Sequence, residues 1–172
     1  DLWRSDGTVA GTFKLASEIK TKLPGVDYRV GAAVLNGFLY FAAAPSGNQL
    51  YKTDGTVAGT SLITSIGDSP YSFTAFGNAV FFFAIDYQTH VCAFWKTDGT
   101  SGGTGIFKDL YHGVDDPPFS GLTPFKDKLF FSAPDPVASI ELFTSDGTGA
   151  GTGLFKDLVP GSGGSSPGGF TQ

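Results

Sequence analysis

Leu50-Tyr51-Lys52-Thr53-Asp54-Gly55-Thr56-Val57-Ala58-Gly59-Thr60 decides how this chain is read, because the stretch recurs three more times. The other copies are Leu2-Trp3-Arg4-Ser5-Asp6-Gly7-Thr8-Val9-Ala10-Gly11-Thr12, Phe94-Trp95-Lys96-Thr97-Asp98-Gly99-Thr100-Ser101-Gly102-Gly103-Thr104 and Leu142-Phe143-Thr144-Ser145-Asp146-Gly147-Thr148-Gly149-Ala150-Gly151-Thr152. Their Asp residues are spaced by 48, 44 and 48 positions. Self-similarity at such a period marks a repeat architecture, in which each unit buries its apolar faces only against its neighbours.

The rest of each unit repeats too. A short apolar run follows each motif, at 13–19, 61–66, 105–110 and 153–158. After a Gly/Pro/Asp-rich loop come two apolar runs joined by a tight turn. These are 32–35 and 38–43 around Asn36-Gly37, 72–76 and 79–84 around Gly77-Asn78, and 120–125 and 128–133 around Lys126-Asp127. Asn-Gly is a strong hairpin signal because both central residues of the turn need positive φ. Each 44–48-residue period therefore holds four short strands, A to D. In these terms 72–76 is an A strand, 79–84 a B strand, 50–53 a C strand and 61–66 a D strand. Four strands in that length is the size of one propeller blade.

The predicted fold is all-β: four-stranded antiparallel β-propeller blades, about three and a half of them, in a single segment. The repeats begin near Leu2, Leu50, Phe94 and Leu142. Strand B is almost continuously apolar (Leu39-Tyr40-Phe41, Phe81-Phe82-Phe83, Leu129-Phe130-Phe131), as expected of a strand covered on both faces. The chain opens inside a C strand, and residues 165–172 read as the start of another A strand. A closed ring needs about four blades or more, so the expectation is a larger propeller or an array completed by a partner.

Composition narrows the function classes. Hydrophobic residues are 41% and aromatics 15%, enough for a packed core. Net charge is −5 with no basic stripe, which excludes nucleic acid as a partner class. Of 16 acidic residues only Glu18 and Glu141 are Glu; the excess of Asp speaks for turns over helix interiors. The longest apolar run, 79–85, is too short for a membrane-spanning helix. Cys92 is alone, so no intrachain disulfide forms. The lack of methionine points to a processed chain or part of a longer one.

The D-G-T-x-x-G-T motif falls at the C–D connection. Its Asp is expected to accept from the amides two and three residues on, its first Gly to take positive φ, and its Thr to bond the turn or begin strand D. Asp6, Gly7, Thr8, Asp54, Gly55, Thr56, Asp98, Gly99, Thr100, Asp146, Gly147 and Thr148 are therefore read as structural-turn residues. A catalytic group is normally unique in its chain. Single carboxylates a blade apart also cannot supply the six to eight ligands of one calcium ion.

The run D/E-L-W-x-S-D-G-T-x-x-G-T, followed by D-L-x-P-G and S-x-P, resembles the ELWxxDGT repeat of large bacterial surface or secreted proteins. Asp1 to Thr12, Leu50 to Thr60, Phe94 to Thr104 and Glu141 to Pro167 carry the resemblance, the last with Asp157-Leu158-Val159-Pro160-Gly161 and Ser165-Ser166-Pro167. It implies propeller-like blades and an extracellular, cell-surface or periplasmic location. The motif is also similar to the Asp-box hairpin of sialidase propellers, a structural turn at the same connection. This chain has only Arg4 and Arg29, too few for the arginine cluster that binds a sialic acid carboxylate.

In propellers the D–A and B–C loops share one face, where ligands sit. Here these are residues 20–29, 67–70, 111–119 and 159–167, and residues 44–49, 86–91 and 134–140. They differ between units far more than the strands do. Tyr28, Asp68, Tyr87, His90, Tyr111, His112, Asp115, Asp116 and Asp135 are the candidate binding residues, because Tyr beside Asp can stack on and hydrogen-bond a sugar or contact a protein. Asp115-Asp116 is the one place with adjacent carboxylates for calcium; otherwise no cofactor or metal is expected. No P-loop, dinucleotide fingerprint or G-x-S-x-G element is present. The predicted function is a non-enzymatic binding or scaffold module with a protein or glycan partner. The alternatives are a structural subunit whose open end a partner covers, and a glycan-acting hydrolase.

Overall fold

The computed structural model describes residues 1–17, 19, 31–43, 49–66, 69–86, 91–112, 120–137, 139–161 and 163–171. The described chain is all-β. A two-stranded hairpin, β1 (Leu2–Arg4) and β2 (Phe13–Ala16), is followed by three four-stranded antiparallel sheets. The first is β3 (Ala32–Leu35), β4 (Phe38–Ala43), β5 (Gln49–Thr53) and β6 (Ser61–Ser65). The second is β7 (Ser69–Phe76), β8 (Ala79–Asp86), β9 (Val91–Thr97) and β10 (Gly105–His112). The third is β11 (Ser120–Phe125), β12 (Lys128–Asp135), β13 (Ser139–Ser145) and β14 (Gly153–Lys156). In each sheet the strands neighbour one another in chain order, a meander. The four elements are called units 1 to 4.

The A–B turns follow the residue chemistry. Asn36-Gly37 has φ of 51° and 80°, the pair of positive values that a type I′ hairpin requires. Lys126 takes φ 55° at the corresponding turn of unit 4. Several strands exceed their expected bounds: β7 begins at Ser69 rather than residue 72, β8 ends at Asp86 rather than residue 84, and β12 ends at Asp135 rather than residue 133. The longer β7 takes in Ser69 and Pro70 of an expected loop because its ladder continues past a bulge between Tyr71 and Thr74, where Ser72 has φ 55°. Gly121, φ 74°, sits in the matching bulge of β11.

Successive units face one another and share a core. Leu2 and Ala16 of unit 1 meet Phe41, Ala43 and Tyr51 of unit 2. Tyr40, Ala42 and Leu50 from the other face of unit 2 meet Phe73, Val80 and Phe82 of unit 3. Phe81, Phe83 and Phe94 from the other face of unit 3 meet Leu129, Phe131 and Phe143 of unit 4. Units 2 and 3 thus each have a back face toward the preceding unit and a front face toward the following one, and unit 4 turns its back face to unit 3. This explains the continuous apolar run of β8: Val80, Phe82 and Ala84 serve one core and Phe81 and Phe83 the other, and all five are buried. The A strands lie side by side, β3 beside β7 and β7 beside β11, with the Thr74 hydroxyl donating to the Leu122 carbonyl at 2.8 Å.

Burying each Phe contributes roughly 1.5–3 kcal/mol, so the interunit rings dominate stability. Phe83 touches rings of its own sheet and of the next: Phe94 at 5.1 Å and Phe131 at 5.7 Å. Phe83→Ala should cost about 3–5 kcal/mol in a urea denaturation, whereas Val137→Ala at an exposed turn should cost less than about 0.5 kcal/mol. Equal costs would contradict the placement of the core.

Candidate functional site

The C–D turn is built four times with one hydrogen-bond relay. In unit 3 the Asp98 Oδ1 accepts from the Thr100 amide at 2.9 Å and from the Thr100 hydroxyl at 2.8 Å. Thr100 Oγ1 accepts from the Gly103 amide at 3.0 Å, and the Thr104 hydroxyl donates to the Thr100 carbonyl at 2.6 Å. Thr97 Oγ lies 2.7 Å from Thr104 Oγ1 and accepts from the Gly99 amide at 3.0 Å. A hydroxyl has one proton. Thr104 gives its proton to the Thr100 carbonyl, so Thr97 is the donor to Thr104 and the direction of every bond is fixed. The same relay runs through Ser5, Asp6, Thr8 and Thr12. It recurs through Thr53, Asp54, Thr56 and Thr60, and through Ser145, Asp146, Thr148 and Thr152.

Each invariant position has a cause. Gly7, Gly55, Gly99 and Gly147 have φ of 90°, 84°, 92° and 86°, a region that L side chains resist. The second Gly of each motif has a different reason: a Cβ on Gly11, Gly59, Gly103 or Gly151 would run into the carboxylate of its own turn. One expectation is corrected. The second donor to Asp98 is the Thr100 hydroxyl and not the expected amide of Ser101, and that hydroxyl accepts in turn from the Gly103 amide. These hydrogen bonds, from the Thr hydroxyl first and its amide second, hold Asp6, Asp54, Asp98 and Asp146 below the ordinary Asp value of 3.8.

The turns also join units. Arg4 Nη1 donates to the Gly55 carbonyl of the next unit at 2.8 Å, and Lys52 Nζ to the Gly99 carbonyl at 2.7 Å. The Tyr40 ring lies against Gly99, where a Cβ would collide with its hydroxyl. Between units 3 and 4 Lys108 takes the cationic role, donating to the Gly149 and Thr152 carbonyls. There Phe76 and Phe81 lie against Gly147.

The expected loop-face residues are placed in part. Tyr28, Asp68, Tyr87, His90, Asp115 and Asp116 lie outside the described residues. Tyr111 and His112 are not in a loop: they end β10, paired with Cys92 and Val91, because the β9–β10 ladder continues past two bulges. Asp135 ends β12, and its Oδ1 accepts from the Val137 amide at 2.9 Å, an Asx turn that shapes the B–C connection.

Glu141 was not among the expected site residues, yet it ties residues 158 and 165, beyond β14, to β13. Its side chain is buried, and its carboxylate accepts from the Leu158 amide at 2.9 Å, the Ser165 amide at 2.9 Å and the Ser165 hydroxyl at 2.6 Å. Burial raises its pKa, but these donors outweigh that and hold it below its ordinary value. The signal was present in the glutamate that precedes Leu142 and in the Ser165-Ser166-Pro167 that follows. Among the described residues no cluster of three or more His, Cys, Asp or Glu is placed to hold a metal ion.

No family model and no curated protein matches the chain. Among solved structures it is similar to the computationally designed Ika4 protein, at 17% identity and TM-score 0.46, over 81% of this chain and 78% of that one. It is also similar to the computationally designed Ika8 protein, at 16% identity and TM-score 0.44, over 73% of this chain and 34% of that one.

Two adjacent glycines separate the carboxylate-clearance explanation from general turn flexibility. A Cβ on Gly102 meets nothing, so Gly102→Ala should leave stability unchanged or raise it by up to about 1 kcal/mol, while Gly103→Ala should lower it in the same thermal melt. Equal effects would contradict the assigned role. The pH dependence follows from the depressed Asp values. Stability from these carboxylates is complete above 3.8 and is lost as pH falls through their lower folded values. Thr100→Val removes the largest cause at Asp98, so in melts recorded between about pH 2 and pH 6 its stability deficit against the wild type should be largest at the upper end and shrink as pH falls. A deficit that is the same at every pH would show that the carboxylate is not stabilised this way.

Proposed function

We propose that units 1 to 4 are blades of a β-propeller and that the chain is a non-enzymatic scaffold. Its D–A and B–C loops form the contact surface for a protein or glycan partner. The observation that carries this reading is the relay itself. All four copies of the conspicuous motif direct the Asp carboxylate and the Thr and Ser hydroxyls into their own turns, which leaves the variable loops as the place for recognition. Further support comes from face-to-face meanders with adjacent A strands, which is how blades pack. The Glu141 clamp belongs with this reading, since it holds a D–A loop in one shape and limits the ordering cost of binding. The likeness to ELWxxDGT repeats favours a surface or secreted location. No cofactor is required, and calcium at Asp115-Asp116 would be an addition to the loop face.

A second reading is assembly: the chain is a structural subunit whose open end is covered by a partner. The apolar front face of unit 4 favours it, with Phe125 and Phe155 both about half exposed. A propeller hydrolase has no comparable support.

A glycan array probed with the whole chain separates the loop reading from the assembly reading. Paired Tyr87→Ala and His90→Ala, or Asp115→Ala and Asp116→Ala, should reduce bound signal at least about tenfold with the melting curve unchanged. Phe155→Ser should leave it unchanged. Signal lost with Phe155→Ser and kept in both loop variants would reverse the assignment.

A further inference from the structure

The chain holds five bonds of the kind that cyclises most readily, an Asp or Asn followed by Gly: Asp6-Gly7, Asn36-Gly37, Asp54-Gly55, Asp98-Gly99 and Asp146-Gly147. Glycine leaves its own amide nitrogen uncrowded, so that nitrogen attacks the side-chain carbonyl carbon of the residue before it. At Asn the new bond joins the Gly nitrogen to Cγ, the Cγ–Nδ2 bond breaks, and ammonia leaves with the amide proton. At Asp the same closure expels water. Water then opens the succinimide at either carbonyl, giving aspartate or isoaspartate.

The relay opposes each part of this reaction at the four Asp-Gly bonds. In unit 3 the nucleophile is engaged elsewhere: the Gly99 amide donates to Thr97 Oγ1 at 3.0 Å. The electrophile is tied the other way, to the Thr100 amide and hydroxyl. The Asp98 carboxyl carbon also lies so close over Gly103 that a Cβ there would collide with it, which covers one approach to that carbon. Gly7, Gly55 and Gly147 donate likewise to Ser5, Thr53 and Ser145, at 3.0, 3.0 and 3.1 Å. Gly11, Gly59 and Gly151 lie under the carboxyl carbons of Asp6, Asp54 and Asp146. The bonds from Thr keep each carboxyl ionised, and a carboxylate is a poor electrophile.

Asn36-Gly37 is built differently. Both residues are exposed. They form the tip of the β3–β4 hairpin, whose ladder closes at Leu35 and Phe38, so the Gly37 amide lies outside the strand pairing. Among the described residues no hydrogen bond holds the Asn36 carboxamide, and a Cβ on Gly37 would meet nothing. The carboxamide is neutral, so no charge opposes the attack. Asn78, in the matching turn of unit 3, precedes Ala79, which is buried and paired with Phe76.

We propose that the C–D relay guards the four Asp-Gly bonds against succinimide closure, and that Asn36-Gly37 is the site where the chain is modified, by loss of ammonia to aspartate and isoaspartate. Each event adds one negative charge to a chain that carries −5, so modified molecules separate on an anion exchanger.

The test is long incubation of the whole folded chain in warm neutral buffer, with the same chain unfolded in urea alongside. Peptide mapping by mass spectrometry and isoaspartyl methyltransferase labelling locate the products. In the folded chain isoaspartate, with the mass gain of an amide turned carboxyl, should build up at position 36. Asp6, Asp54, Asp98 and Asp146 should react at least about tenfold more slowly than in urea. Thr97→Val removes the acceptor for the Gly99 amide and should raise isoaspartate at Asp98 alone, the other three turns serving as controls within the molecule. Ser5→Ala does the same for Asp6 in an exposed turn, so the comparison stands if Thr97→Val does not fold; melts by circular dichroism check both. Asp-Gly bonds that react as fast folded as in urea would overturn the guard. So would folded variants with no rise at the altered turn. A folded chain that reacts no faster at position 36 than at the four Asp-Gly bonds would overturn the assignment of the site.

Discussion

The hydrogen bonds from a threonine hydroxyl and amide to the aspartate two residues earlier are the interaction on which the rest of this structure depends. They close the C–D turn in all four units and set the positive φ of the glycine between them. Closure in that shape turns the Gly55 and Gly99 carbonyls toward the preceding unit, where Arg4 and Lys52 reach them. It also places a carboxylate over the second glycine of the motif, so that no side chain fits there. One local turn therefore determines two strands and one contact between units.

The turn and the aromatic faces have different tasks, and magnitudes separate them. A buried Phe contributes roughly 1.5–3 kcal/mol, and the second and third interunit cores each hold several. A bond from a surface cation to a carbonyl contributes on the order of 1 kcal/mol or less. The rings therefore supply the stability of the stack, and the Arg4 and Lys52 bonds set how one unit is seated on the next. Because the sheets of units 2 and 3 meet different neighbours on their two faces, strand B there must be apolar at every position, and it nearly is in β8.

Most of the strand order was legible in the sequence because its signals are local and repeated. Asn36-Gly37 marked a hairpin, and the recurrence of Asp-Gly-Thr marked the C–D turn. Strand ends were less legible: β10 runs on to His112 because bulges let its ladder with β9 continue, and no residue type announces a bulge. Glu141 was missed because its partners, Leu158 and Ser165, are 17 and 24 residues away and become donors only once the D–A loop folds back. The front and back faces were legible only as apolar runs. Which ring meets which unit depends on register, visible only when Tyr40, Phe81 and Phe130 are aligned through their pairing with Lys52, Lys96 and Thr144.

Amide hydrogen exchange tests the central claim most directly, because the relay uses backbone amides in exposed turns. The Thr56, Thr100 and Thr148 amides bonded to carboxylates, and the Gly59, Gly103 and Gly151 amides bonded to hydroxyls, should exchange as slowly as amides inside the sheets they connect. Their counterparts in unit 1, Thr8 and Gly11, donate to the same partners and should be protected in the same way. Exchange of all eight at the rate of free loops would contradict the account, for the turns would then be passive connections and not the elements that hold the units together.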